Sequence, residues 1–250
     1  MATFDVIAKY YDNILTNREI DEFYLSIINK EQTSEIKTIL DLGCGTGEFL
    51  SKIKCDFKMG VDASNEMLRV ARLKNPESSF QHDLIQNCEL PSLFFDYIVC
   101  MYDVLNIITS FGDWAKIFDK VSNSLQQNGK FIFDINTLAR QEYLCDISPM
   151  VKMFNGNYSF TFVSKAEGAQ SDIFKWSNLL FTKSYDDNYK MSEMVNFEHS
   201  PCIERIKSEL LLHFPYVEII TSANLKGKSV IDKAYFICSK SPVREYSDLD

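Results

Sequence analysis

The chain has 250 residues, 46% of them hydrophobic and 24% charged, an ordinary composition for a folded protein with a real core. No apolar run approaches the roughly 20 residues that span a membrane, and Met1-Ala2-Thr3-Phe4-Asp5 lacks the basic stretch and apolar run of a secretory leader, so a cytoplasmic location with no membrane partner is expected. A formal net charge of -9 disfavours nucleic acid, the nearest basic strip being Lys226-Gly227-Lys228, and seven cysteines without a Cys-x-x-Cys pair argue against a disulfide framework or a metal site.

Val6 to Asn29 reads as two helical pieces, either a cover over an active site or a plain structural cap. From Thr38 to Ile135 strand and helix patterns alternate. Apolar runs at Thr38–Leu42, Phe57–Asp62, Ser79–His82, Phe95–Met101 and Lys130–Ile135 predict buried parallel strands. Between them, Glu48–Ile53, Asn65–Leu73 and Trp114–Leu125 carry apolar residues at helical spacing, and Asn128-Gly129 reads as the glycine stop of the last helix. Residues 150–199 change character, with turns at Asn155-Gly156-Asn157, Glu167-Gly168 and Asp186-Asp187-Asn188 that predict about three antiparallel strands. Ten aromatics fall there, from Phe154 to Phe197, among them Tyr158, Phe160, Phe162, Trp176 and Tyr185. Packing accounts for most of them; a minority facing a pocket and an exposed face pairing with another subunit are the other readings. A helix near Pro201 to His213 and strands near Tyr216–Thr221 and Lys233–Ser239 return the chain to the core. The expected division is 1–37 as a helical cap, 38–149 as the α/β core, 150–199 as an antiparallel β insertion and 200–250 as the completion of the core sheet.

The most informative segment is Leu40-Asp41-Leu42-Gly43-Cys44-Gly45-Thr46-Gly47-Glu48, where the first strand turns into the first helix. Glycines there let the backbone approach a ligand and take positive φ. The spacing is Gly-x-Gly-x-Gly rather than the Gly-x-Gly-x-x-Gly of dinucleotide sites, which disfavours a nicotinamide oxidoreductase. Asp41 before the bend and Glu48 after it suit a ligand with a cationic end better than one with two phosphates. S-adenosylmethionine carries an ammonium and a sulfonium and no phosphate. Asp62, ending the second strand, can accept from both ribose hydroxyls, with an N-cap of the next helix as the structural alternative that Ser64 could equally fill. Asp83, after the third strand, can take an adenine amino group or serve as a turn residue.

The ordered set Asp41-Leu42-Gly43-Cys44-Gly45-Thr46-Gly47, Gly60-Val61-Asp62-Ala63-Ser64, Gln81-His82-Asp83, Phe95 to Asn106 and Asn128 to Asn136 resembles the motifs of class I S-adenosylmethionine-dependent methyltransferases. Ala8-Lys9-Tyr10-Tyr11-Asp12 is similar to the N-terminal signature of their small-molecule members. The insertion ending in Glu198-His199 resembles the lid of the amino-sugar and small-metabolite N-methyltransferase branch, although Ser200-Pro201-Cys202-Ile203 stands where that branch has an arginine and an aromatic residue. The resemblance implies a doubly wound, Rossmann-like, seven-stranded and mostly parallel sheet with a β lid. It implies S-adenosylmethionine as cofactor and a small-molecule acceptor as partner, in a monomer or homodimer. Asp41, Gly43, Cys44, Gly45 and Gly47 would surround the methionine end. Asp62 would hold the ribose beside Ala63 and Met67. Asp83 and Leu84 would hold the adenine, and Tyr11 would close over the cofactor. Met101, Tyr102 and Asp103 would lie near the sulfonium and the acceptor.

Methyl transfer from a sulfonium is an in-line displacement that gains most from positioning and desolvation; a base is needed only where the acceptor arrives protonated. Tyr102, Asp103 and His199 are the candidates for catalytic roles, with a solvated turn as the alternative for His199. Asn106 can orient a substrate or cap a loop, and His82 and His213 read as structural. An amine is the expected acceptor. A peptide or protein N-terminus, an O-acceptor, or a catalytically silent cofactor-binding module are the competing readings.

Overall fold

Five strands lead the chain, β1 (Thr38–Leu42), β2 (Phe57–Asp62), β3 (Ser79–His82), β4 (Phe95–Cys100) and β5 (Leu125–Asn136). Four more follow, β6 (Met150–Phe154), β7 (Asn157–Lys165), β8 (Ile173–Lys183) and β9 (Tyr189–His199), and then β10 (Tyr216–Thr221) and β11 (Lys233–Ser239). The computed structural model describes residues 3–14, 18–30, 37–168, 171–184, 186, 188–221 and 233–242. Lys226-Gly227-Lys228, Tyr185 and Asp187 lie outside them.

One sheet has the order β10-β11-β5-β4-β1-β2-β3, and β6 to β9 form a second, fully antiparallel sheet. In the first sheet β1, β2, β3, β4 and β5 run parallel, and β11 alone opposes its neighbours. The strand order reverses between β1 and β4, so the crevice for a ligand opens at their carboxyl ends.

Both faces of this sheet are covered, which is why its strands read as near-continuous apolar runs. On one face Phe131, Phe133 and Phe236 pack with Trp114 and Phe118 of α5 (Phe111–Ser124) and with Ile206 of α7 (Ile203–Leu210). On the other, Ile132 and Ile237 pack with Tyr24 and Ile27 of α2 (Arg18–Lys30), Leu50 of α3 (Glu48–Lys52) and Leu68 of α4 (Asn65–Lys74). The alternation of Phe131, Ile132 and Phe133 between these cores is the two-residue period of a strand. Cys100 and Cys238 are fully buried there as small apolar residues. Among the described residues, no helix is long and apolar enough to cross a membrane.

Local chemistry sets the boundaries. The Ser64 hydroxyl caps α4 by accepting from the Met67 amide at 3.1 Å, while Arg72 and Lys74 oppose the dipole in its last turn. Three expectations change. Gly129 does not stop a helix: α5 ends at Ser124 and Gly129 lies inside β5, where a Cβ would sit 2.8 Å from the Phe95 carbonyl oxygen beside a register shift against β4. The insertion has four strands rather than three, because Met150–Phe154 pairs with β7 despite its exposed positions. A helix α6 (Leu138–Asp146), opened by Thr137 accepting from the Arg140 amide, also precedes it; its buried Gln141 hides the amphipathic pattern.

Candidate active site

The bend after β1 winds through three left-handed glycines, with φ of +77° at Gly43, +51° at Gly45 and +69° at Gly47. A Cβ on Gly43 would meet both Val104 methyl groups at 2.6 Å, and one on Gly47 would meet the Asn75 amide nitrogen at 2.7 Å. At Gly45 the nearest atom is Tyr11 Cε1 at 3.8 Å, so its Cα side is open. Gly43 and Cys44 donate their amides to the Val61 carbonyl, and Gly45 donates to Asp62 Oδ2 at 2.8 Å. Asp62 Oδ1 accepts from the Ser64 amide at 2.8 Å. Each Asp62 oxygen therefore keeps one lone pair for a ligand, and the helix cap is left to Ser64.

Asp41 is buried, and its Oδ1 has no hydrogen-bond partner. Burial, then the charges of Asp62 and Asp21, push its carboxyl up to about 8. An unpaired carboxylate in this position is costly unless a cation arrives. Asp41 opens on a recess of about 30 Å³ that Tyr11, Gly43, Cys44, Met101 and Tyr102 also line. Glu48 lines it too, but its charge is met by Lys74 at 2.8 Å and Lys52 at 3.5 Å, so Asp41 is the acid of this recess left to meet an arriving cation. The N-terminal segment is tied across the bend. Asp12 of α1 (Tyr11–Ile14) binds Thr46 and Lys74, and Asp5 accepts from the Ser64 hydroxyl. Tyr11 is thereby held over Gly45. Burial and the surrounding carboxylates of Asp103 and Asp62 keep its phenol well above its ordinary pKa and neutral.

At the end of β4, Tyr102 and Asp103 are consecutive non-glycine residues in the left-handed region, with φ of +60° and +54°. Such a pair costs on the order of 1–3 kcal/mol per residue and persists only where its surroundings hold it. Here the fully buried Asp134 accepts both amides, at 2.8 Å and 3.2 Å, and is itself held by the Tyr24 hydroxyl at 2.8 Å and by Lys233. Lys233 Nζ also donates to Asp103 Oδ1 at 2.8 Å. Burial works against its charge, and the two carboxylates outweigh it and raise its pKa. The strained turn places Tyr102 and Asp103 in the wall of the crevice, with the Tyr102 hydroxyl donating to Asp21 Oδ1 at 2.6 Å. Asn106 is structural: its amide donates to the Asn136 and His199 carbonyls at 3.0 Å and 2.8 Å and accepts from the Asn136 amide.

A cavity of about 750 Å³ joins these elements, within the range of small-molecule sites. Tyr11, Gly43, Asp62, Ala63, Met67 and Leu84 line one part, and Tyr102, Asp103 and Lys233 the middle. The inner face of the second sheet supplies the remaining wall, with Ser159, Thr161, Trp176, Asn178, Asn196 and Glu198. Glu198 is buried; its Oε2 accepts from Gln141 at 2.7 Å and Asn136 at 3.4 Å, and its Oε1 from Asn196 at 3.4 Å. Burial and the nearby Asp103 raise its carboxyl to about 8, against the amides of Gln141 and Asn136 and the charge of Lys233.

Four expected residues stand elsewhere. His199 does not line the cavity. It is buried against the edges of Phe111 and Trp114, with Nε2 3.1 Å from Asp172, because the two-residue strand period turns it away from the face that Glu198 occupies. The Asp83 carboxylate accepts from the Leu84 amide at 2.8 Å within its own turn, and Leu84, Ile85 and Gln86 form the wall there. Gly45 and Gly47 shape the bend without lining the cavity. Glu198, Asn178 and Thr161 escaped the sequence reading, which followed the aromatics Tyr158, Phe160 and Phe162. The polar residues at alternate positions, Ser159 with Thr161 and Asn196 with Glu198, were the available signal.

Residues 39–129 match the family model of a methyltransferase domain. Three curated relatives match, and the aligned stretch covers 61%, 84% and 49% of their lengths, under two thirds in two of them. One, a carboxy-S-adenosyl-L-methionine synthase of Campylobacter hominis, is 28% identical over 209 residues, 77% of this chain and 84% of that one. Among solved structures, a S-adenosylmethionine-dependent methyltransferase from Clostridium acetobutylicum superposes with a TM-score of 0.78 at 22% identity, over 96% of this chain and all of the other. An amino pentose methyltransferase from Micromonospora echinaspora, solved with S-adenosylmethionine, gives 0.69 at 14% identity, over 94% of this chain and 95% of its own. These two show the shared fold. An orphaned buried carboxylate, a bend that admits no side chain at Gly43 and a second strand-tip carboxylate with free lone pairs fit a phosphate-free adenosyl cation. Residues 39–129 are thus matched as a methyltransferase domain, and the described fold is the one shared with S-adenosylmethionine-dependent methyltransferases.

Proposed function

We propose that the chain methylates a small, polar amine enclosed between the carboxyl end of β4 and the inner face of the second sheet. The carrying observation is a single cavity with Gly43 and Asp62 in one wall and Glu198, Asn196 and Asn178 in another. When bound, S-adenosylmethionine supplies an electrophilic methyl group on a sulfonium. In this reading Asp41 receives the ammonium of its methionine end, Asp62 the ribose hydroxyls, and Leu84 packs against the adenine. Tyr11 covers the site and excludes water, which strengthens every charge interaction inside. Asp103, fixed by Lys233, faces the acceptor. The wall favours a cationic, hydroxyl-bearing acceptor: its carboxylates attract an ammonium, and Ser159, Thr161 and Asn178 offer donors and acceptors to hydroxyl groups. The name of the Micromonospora protein, an amino pentose methyltransferase, agrees with this chemistry.

The test is transfer of labelled methyl from S-adenosylmethionine to matched panels of amines, alcohols and carboxylic acids, read by mass spectrometry. N-methyl product with stoichiometric S-adenosylhomocysteine is the expected result. Labelling confined to oxygen acceptors, or a carboxylated S-adenosylmethionine in place of S-adenosylhomocysteine, would refute it.

A further inference from the structure

We infer that Glu198, together with Asp103 in the same cavity, forms a subsite that binds the acceptor as an ammonium and that Glu198 takes its proton. This rests on the amine reading above and adds to it the group that makes the nitrogen nucleophilic.

The first ground is how Glu198 is held. It is 3% exposed, yet it lines a cavity. The side chains that hydrogen-bond to it, Gln141, Asn136 and Asn196, are all neutral amides. Gln141 is oriented in turn by the Trp176 indole, which donates to its Oε1 at 3.0 Å. The cation whose charge acts on Glu198, Lys233, is already committed to Asp103 and Asp134. A buried carboxylate with rigid neutral donors and no cation of its own is a built receptor for a cationic ligand.

The second ground is position. Glu198 lies on β9 facing the strained turn that presents Tyr102 and Asp103, so one cavity brings together both carboxylates. Asp113 of α5, Arg140 of α6 and Lys152 of β6 also line that cavity, while His199, the next residue on β9, is engaged with Asp172. Lys152 is engaged with the Ile14 carbonyl at 2.8 Å.

The proton balance is simple. The acceptor's N–H bond breaks, an O–H bond forms on Glu198, and the electron pair left on nitrogen becomes available for the bond to carbon. Burial and Asp103 bring the Glu198 carboxyl to about 8, close to the range of aliphatic amines, so the proton passes between groups of similar basicity.

The experiment uses the full chain with S-adenosylmethionine, glucosamine as a polyhydroxylated primary amine and N-acetylglucosamine as its non-basic counterpart. The wild type is expected to bind and methylate glucosamine alone, with kcat/KM rising through about pH 8. In Glu198→Gln, S-adenosylhomocysteine affinity is expected to stay within threefold of the wild type. Its kcat/KM at pH 7 should fall roughly 100-fold or more, and the rise near pH 8 should disappear. Glu198→Asp, which keeps the charge, should restore that rise at reduced rate and serves where the Gln variant fails to fold. Methylation of glucosamine by Glu198→Gln with an unchanged pH profile would overturn this inference and leave the amine reading standing. A wild type that methylates only alcohols or carboxylates would overturn both.

Discussion

Asp41→Asn separates the cost of an ionised buried carboxylate from the rest of the fold. The wild-type carboxyl titrates at about 8 in the folded chain because it is buried with an unpartnered oxygen beside Asp62 and Asp21. In the unfolded chain it titrates near 4. Between those values the folded state holds the extra proton, so stability falls as pH rises, at about 1.4 kcal/mol per pH unit from this group. From pH 5 to pH 8 the loss is about 4 kcal/mol, and it is complete above pH 8. A neutral asparagine side chain at this position suffers no such loss. The variant should therefore melt close to the wild type at pH 5 and above it at pH 9. The gap should be roughly 10 °C at 2–4 °C per kcal/mol for a chain of this size. Differential scanning calorimetry of the ligand-free protein at both pH values measures this. Parallel melting curves for the two proteins across pH would refute the reasoning. The same linkage has a binding counterpart: an arriving ammonium should expel the proton from Asp41 near pH 7, so the S-adenosylmethionine binding enthalpy should depend on the ionisation enthalpy of the buffer.

Gly45→Arg places a long side chain where only Tyr11 is near, so S-adenosylhomocysteine affinity in calorimetry should be lost while the melting temperature changes by only a few degrees. Gly43→Ala must accommodate a Cβ 2.6 Å from Val104 at φ +77° and should lower both, so unchanged affinity in either variant would remove the bend from the site. Lys233→Met leaves Asp134 and Asp103 without their cation and should cost about 3–5 kcal/mol in urea unfolding at pH 8; a loss under 1 kcal/mol would show that the strained turn does not depend on it. His199→Ala should lower stability through its lost packing against Phe111 and Trp114 while leaving the pH dependence of turnover unchanged. A changed pH profile would return His199 to the chemistry.

The α/β core was legible residue by residue because its determinants are local. Leu40, Leu42, Phe131, Ile132, Phe133 and Ile135 are apolar since both sheet faces are covered, and three glycines in five residues mark a bend through the left-handed region that glycine follows most readily. Asp41 and Asp62 sit at strand tips beside that bend, so their place next to the glycines followed from the chain alone. The far wall of the cavity was decided by tertiary contacts. In β9, one residue of register separates Glu198, facing the cavity, from His199, facing Phe111 and Trp114, and only the pairing with β8 and the packing on α5 select between them. Lys233 meets Asp103 from 130 positions away. A charge at a strand tip announces itself in sequence, whereas the direction of a side chain across a sheet, and the partner that neutralises it, exist only once distant segments have packed.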